Sequence, residues 1–198
     1  MLKNDFLRRA KYERATSETS ISVSLNLDGG DINLDLNGLG FFTHMLQTLA
    51  RYAGWGLDLK VRGDGLVDDH HSVEDSGLVL GEALNLSLGD FSSHQRFGWA
   101  LVPMDECLAE AALDVCRRPY FKLEADWPQP VCGTFELCLV EEFFRALTQK
   151  AGWTLHLIVR RGRNSHHMCE AAFKAAGLAA RQALRAHAGG AFSTKGVL

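Results

Sequence analysis

The chain contains one segment twice. Residues 53–62 read AGWGLDLKVR and residues 151–160 read AGWTLHLIVR, identical at seven of ten positions. The likeness runs upstream, where HMLQTLARYAGW from His44 lies over EFFRALTQKAGW from Glu142, and downstream, where HHSVED lies over HHMCEA. Two copies are too few to stack as a solenoid, so the pattern predicts a duplicated unit folded face to face.

Periodicity gives each copy the same local structure. Phe41, Met45, Leu49 and Tyr52 recur at helical intervals over 41–53, as do Leu139, Phe143 and Leu147 over 139–151. Gly54 and Gly152 follow as helix stops. LDLKV and LHLIV then alternate as strands, with Leu57, Leu59 and Val61 on one face. A turn leads into a second helix, with Asp69 or Ser165 as the expected cap. Upstream, ISVSLNLDG and DINLDL read as a hairpin over Gly29-Gly30, and LAEAALDVCRRPYFKLEA as further strands. The expected fold class is α/β, in the layered α+β sense: two duplicated sheet-plus-helices halves, with strands and helices in separate layers.

Each second helix opens with His-His-x-x-Glu: His70, His71 and Glu74 in one copy, His166, His167 and Glu170 in the other. Residues four apart share a helix face, so His70 with Glu74, and His166 with Glu170, are each spaced to chelate one cation. The neighbouring His71 and His167 point about 100° away, which implies a second ion or a site across an interface. His44 and Glu142, at matching places in the preceding helices, would add one ligand per copy. A single such motif arises by chance; two inside an independently detected repeat predict metal binding. Imidazole and carboxylate without thiolate suit Mn²⁺, Fe²⁺, Co²⁺ or Zn²⁺. Cys169 has no counterpart in the first copy and reads as packing.

Composition narrows the class. With 198 residues, net charge -3, 46% hydrophobic and 23% charged residues, the chain reads as soluble and intracellular. The N-terminal stretch has no apolar signal-like run, and no segment reaches the ~18–20 apolar residues of a membrane span. The slightly acidic balance argues against nucleic acid. Five irregularly spaced cysteines read as reduced thiols packed as small apolar groups. Arg96, Arg118 and the C-terminal FSTKGVL offer guanidinium, hydroxyl and ammonium donors suited to a phosphate; Lys174, four residues after Glu170, is also spaced for a simple i,i+4 ion pair.

Together GLGFFTHML, DDHHSVEDSGLVLGEAL, RFG, VPMDE, RRPY, EEFFRAL, GRNSHHMCEAAFKA and STKGVL resemble the imidazoleglycerol-phosphate dehydratase family of histidine biosynthesis, in its monofunctional form, from about Arg14 to Leu198. The resemblance implies a hydro-lyase of ribosomal S5 domain 2-like fold, its helices between two sheets. It implies a single catalytic domain over 1–198, with halves of about 10–95 and 96–190 and a phosphate-binding tail at 191–198. It further implies a cytoplasmic enzyme with two Mn²⁺ per active site, at subunit interfaces of a 24-subunit homo-oligomer, without nucleic acid or membrane partners. The substrate is D-erythro-imidazole-glycerol phosphate and the product imidazole-acetol phosphate. Carried over by motif, the metal positions are His44, His70, His71, Glu74, Glu142, His166, His167 and Glu170. Substrate and its phosphate fall to Glu18, Arg96, Arg118, Lys174, Ser193, Thr194 and Lys195. Glu170 is the first candidate to move protons at carbon and Glu18 the second, with His71 and His167 also at the reacting centre. Thr43 stands where the family usually has Asp, and Glu142 where some members have His. A metal-binding, shell-forming homologue without full catalysis is the alternative.

Overall fold

In the computed structural model, which describes residues 8–63, 68–89, 91 and 94–187, each copy runs as three strands, a helix, a strand and a second helix. The first comprises β1 (Arg9–Ala15), β2 (Thr19–Asn26), β3 (Ile32–Asp35), α1 (Gly40–Ala53), β4 (Gly56–Gly63) and α2 (His70–Leu88). The second comprises β5 (Phe97–Met104), β6 (Cys107–Val115), β7 (Tyr120–Glu124), α3 (Leu139–Ala151), β10 (Trp153–Arg161) and α4 (Ser165–Ala183), with a short hairpin, β8 (Val131–Cys132) and β9 (Phe135–Glu136), inserted before α3. The sheets have matching orders, β1-β2-β4-β3 and β5-β6-β10-β7.

The expected β2–β3 hairpin does not form. Gly29 and Gly30, both at positive φ, turn the chain, but β4 lies between the two strands, antiparallel to β2 and parallel to β3. Helix α1 supplies the crossover that parallel pairing requires. The second copy repeats this with α3 between β7 and β10.

Alternation assigns each sheet an inner face. Ile21, Val23 and Leu25 of β2 and Leu57, Leu59 and Val61 of β4 are all buried, as are Leu155 and Leu157 of β10. The helices fill the space between the sheets: α2 lies on β1 and β2, α4 on β5 and β6, while α2 packs on α3 and α1 on α4. A fully buried Leu or Phe contributes about 1.5–3 kcal/mol, so the buried Phe42, Phe143, Phe144 and Phe173 between these layers are major anchors. Gly54 and Gly152 end α1 and α3 in the left-handed conformation, at φ 76° and 71°.

Seven of the buried residues of α4 are alanines (Ala171, Ala172, Ala175, Ala176, Ala179, Ala180 and Ala183), which lets neighbouring backbones approach closely. Gly177 serves the same approach: a Cβ there would sit 2.8 Å from the Leu49 carbonyl oxygen of α1. Gly81, its counterpart in α2, meets the Leu147 carbonyl of α3 in the same way. The cysteines are all free thiols; Cys107, Cys116, Cys132 and Cys169 are buried as expected, whereas Cys138 is exposed. No helix among the described residues is long and apolar enough to cross a membrane.

Candidate active site

The close approach of α1 to α4 creates the principal side-chain cluster. His166 and Glu170 lie one turn apart on α4, their Nε2 and Oε2 atoms 3.4 Å apart, and His44 enters from α1 with Nε2 3.2 Å from the same oxygen. The ligand atoms of the three residues lie within 4.8 Å of one another. His44 thus serves the other copy's motif rather than its own, because α1 packs on α4 and not on α2. Local sequence pattern could not have revealed that exchange.

The carboxylate at the centre is held as an anion. Burial pushes the Glu170 carboxyl up, but hydrogen bonds from Lys174 and His44 outweigh it and hold the pKa below the ordinary range. Lys174 Nζ is 2.9 Å from Glu170 Oε1, so it does form the i,i+4 pair. Two imidazoles and an ionised carboxylate suit a borderline or hard divalent cation. The adjacent Cys169 is fully buried and joins neither group of candidate ligands among the described residues.

In the first copy His70 and Glu74 make the same i,i+4 pair at 3.5 Å. The Glu142 carboxylate is engaged by Arg145 at 2.9 Å, and among the described residues it joins no group of three candidate ligands. In both copies the paired histidine rings stand edge-on to each other, their planes at 89°. The outward His167 meets Glu106 at 3.1 Å and Asp105 at 3.8 Å, and the outward His71 lies 3.7 Å from Glu18. Asp105 and Glu106 form the β5–β6 turn; both lie in the VPMDE segment, but sequence reasoning gave neither of them a role.

Neither expected cap acts as one. Asp68 Oδ1 accepts the His70 amide and Asn164 Oδ1 the His166 amide, one residue earlier than the sequence implied. Asp69 makes no side-chain cap bond, and the Ser165 hydroxyl instead accepts the Gln129 amide. A two-residue reach suits a short side-chain oxygen bridging into the first helical turn.

The Glu18 turn is fixed from below. Thr16 Oγ1 accepts the Glu18 and Thr19 amides at 3.1 and 3.0 Å. The Thr19 hydroxyl donates to the buried Asp75 of α2, which also pairs with Arg14. Asp75→Ala removes both contacts, and the expected result is a loss of about 1–3 kcal/mol in urea unfolding. Thr43 spends its hydroxyl on the Leu39 carbonyl at 2.8 Å, within its own helix.

The two candidate phosphate arginines converge on one acid. Arg96 grips Asp114 through Nε at 2.7 Å and Nη2 at 3.0 Å, and Arg118 lies 3.7 Å from the same carboxylate with its side chain 75% exposed. They sit far from the histidines. The Arg96 amide donates to the carbonyl of Ala183, at the opposite end of α4 from His166, which at 1.5 Å per residue is roughly 25 Å away. Ser193, Thr194 and Lys195 lie outside the described residues.

Comparison with known proteins identifies the family and the fold. The imidazoleglycerol-phosphate dehydratase family matches residues 37–180. The imidazoleglycerol-phosphate dehydratase of Halorhodospira halophila is 49% identical over 195 residues, covering 96% of this chain and 98% of that protein. That of Carboxydothermus hydrogenoformans is 45% identical, covering 97% and 100%. Crystal structures of the enzymes from Staphylococcus aureus and Pyrococcus furiosus superpose with TM-scores of 0.82 and 0.83, at 36% and 35% identity. The first covers 90% of this chain and 99% of its own, the second 94% and 100%. On a match of this length, the chain belongs to the imidazoleglycerol-phosphate dehydratase family, enzymes of histidine biosynthesis.

Proposed function

We propose that the chain converts D-erythro-imidazole-glycerol phosphate to imidazole-acetol phosphate in a divalent-metal-dependent reaction, with Mn²⁺ as the ion and two per active site. The observation that carries this reading is the convergence of His44, His166 and Glu170 on a volume one cation could occupy. His44, His166 and Glu170 would hold one ion, and His70 with Glu74 would contribute to the other. A bound ion supplies Lewis acidity to the substrate's imidazole, the only electron sink next to the departing hydroxyl.

The chain's own groups then divide the work. The C–H beside the ring-bearing carbinol loses its proton, the hydroxyl on the ring-bearing carbon leaves as water, and the resulting enol takes a proton at carbon and releases its hydroxyl proton to give the ketone. Glu170 is enclosed by His44, His166 and Lys174, which favours a ligand role. Glu18 is half exposed on a turn fixed by Thr16, which favours it as the group that moves protons.

The separation of roughly 25 Å along α4 between the histidine end and the arginine end exceeds the reach of a three-carbon phosphate bearing one ring. This supports a site completed by another copy of the chain, whose Arg96, Arg118 and C-terminal Ser193, Thr194 and Lys195 would bind the phosphate. A 24-subunit shell is the assembly we propose.

Two measurements check the reading. Chelation and dialysis should abolish formation of the keto product, and added Mn²⁺ should restore it; full turnover without metal would refute the proposal. Arg118→Ala should raise KM about 10- to 100-fold, as expected for losing a charge-assisted contact, with a smaller change in kcat. An unchanged KM would remove Arg118 from the phosphate site.

A further inference from the structure

The two hairpin turns are counterparts, yet their glutamates are set differently. Glu18 lies 3.7 Å from His71 Nδ1 and is half exposed. Glu106 is locked. Its Oε1 accepts the backbone amides of Arg163 and Asn164 at 3.1 and 2.9 Å, and its Oε2 lies 3.1 Å from His167 Nδ1. Both oxygens are therefore used, and the plane of the carboxylate is fixed against the loop that opens α4. The neighbouring Asp105 is 77% exposed and 3.8 Å from the same nitrogen, beyond hydrogen-bond reach.

We infer that Glu106 is a positioning residue: it takes the Nδ1 proton of His167 in a hydrogen bond, fixes the ring's tautomer and rotation, and leaves Nε2 as the lone-pair donor. The inference rests on the proposed metal role of His167. Its physical basis is general. A neutral imidazole carries one N–H and one lone pair, so an acceptor bound at one nitrogen decides which atom can bind a cation. With its other oxygen already taken by two backbone amides, the Glu106 carboxylate turns Oε2 to His167 Nδ1 as an acceptor. The duplicated fold has thus put the same residue type to two uses, a fixed orienter in the second half and an accessible acid in the first.

Glu106→Gln separates this role from loop support. The amide oxygen can still accept the Arg163 and Asn164 amides, which turns the NH₂ toward His167 and favours the tautomer with the proton on Nε2. Mn²⁺ binding to the full-length assembly, read from free-ion electron paramagnetic resonance, should weaken about 10- to 100-fold in both Glu106→Gln and Glu106→Ala. Urea stability should fall in the alanine variant and stay near wild type in the glutamine one. Asp105→Asn should bind Mn²⁺ as the wild type does. Wild-type Mn²⁺ affinity in Glu106→Gln would overturn the positioning role while leaving the metal reading intact. Absence of Mn²⁺ binding by the wild-type assembly would overturn both.

Discussion

Replacing His166 with alanine is expected to lower turnover about a thousandfold, equivalent to about 4 kcal/mol of transition-state stabilisation, while leaving the subunit folded. The size follows from what is removed. His166 is one of two imidazoles facing the Glu170 carboxylate, and with His44 alone the remaining pair would bind a cation weakly. Stability should be nearly untouched, because the bond that opens α4 uses the His166 backbone amide, which alanine retains. The side chain gives up contacts with the Phe41 and His44 rings and its pairing with Glu170, a carboxylate that Lys174 and His44 continue to hold. His156 provides the control: it is exposed on β10, against Tyr120, and His156→Ala should retain wild-type turnover. Steady-state kinetics at saturating Mn²⁺, with metal content measured on the same samples, decide the matter. A His166→Ala enzyme within threefold of wild type would remove the cluster from the reaction.

Gly177→Leu should produce the largest loss of stability, about 3 kcal/mol, at the upper end of overpacking. Even a bare Cβ at this position meets the Leu49 carbonyl at 2.8 Å and the Tyr52 Cβ at 2.9 Å, so α1 and α4 must separate. Gly177→Ala should lose less, since helix propensity returns about 1 kcal/mol of the strain. The two effects share one cause, and a second consequence follows. Spreading the helices carries His44 away from Glu170, so both variants should bind Mn²⁺ more weakly although no ligand is altered. Urea unfolding and free-ion titration test the two halves of this result. Unchanged metal affinity in Gly177→Ala would mean that helix spacing does not set the cluster.

These residues also mark how far the sequence could be read. Leu57, Leu59 and Val61, the helix over 139–151 and the paired His-His-x-x-Glu motifs announce themselves because alternation, the 3.6-residue turn and duplication are local or repeated signals. The position of β4 between β2 and β3 does not, since parallel pairing is decided by where α1 carries the chain. The approach of His44 to Glu170 depends on small residues in α4 meeting backbone in α1, a contact between segments 126 residues apart. Glu106 was hidden for another reason: the two hairpin turns correspond in the fold, but the strands around them share no motif that would align Glu18 with it.

Mixing inactive subunits tests the central claim most directly. His166→Ala chains, crippled in turnover, and Arg118→Ala chains, crippled at substrate well below their raised KM, are unfolded together, reassembled in equal amounts and assayed at that low substrate concentration. If the histidine cluster of one chain works with the arginine pair of another, random assembly rebuilds about one quarter of the sites intact, and Mn²⁺-dependent formation of the keto product returns to that level. Activity that stays at the sum of the two parents would contradict a shared site.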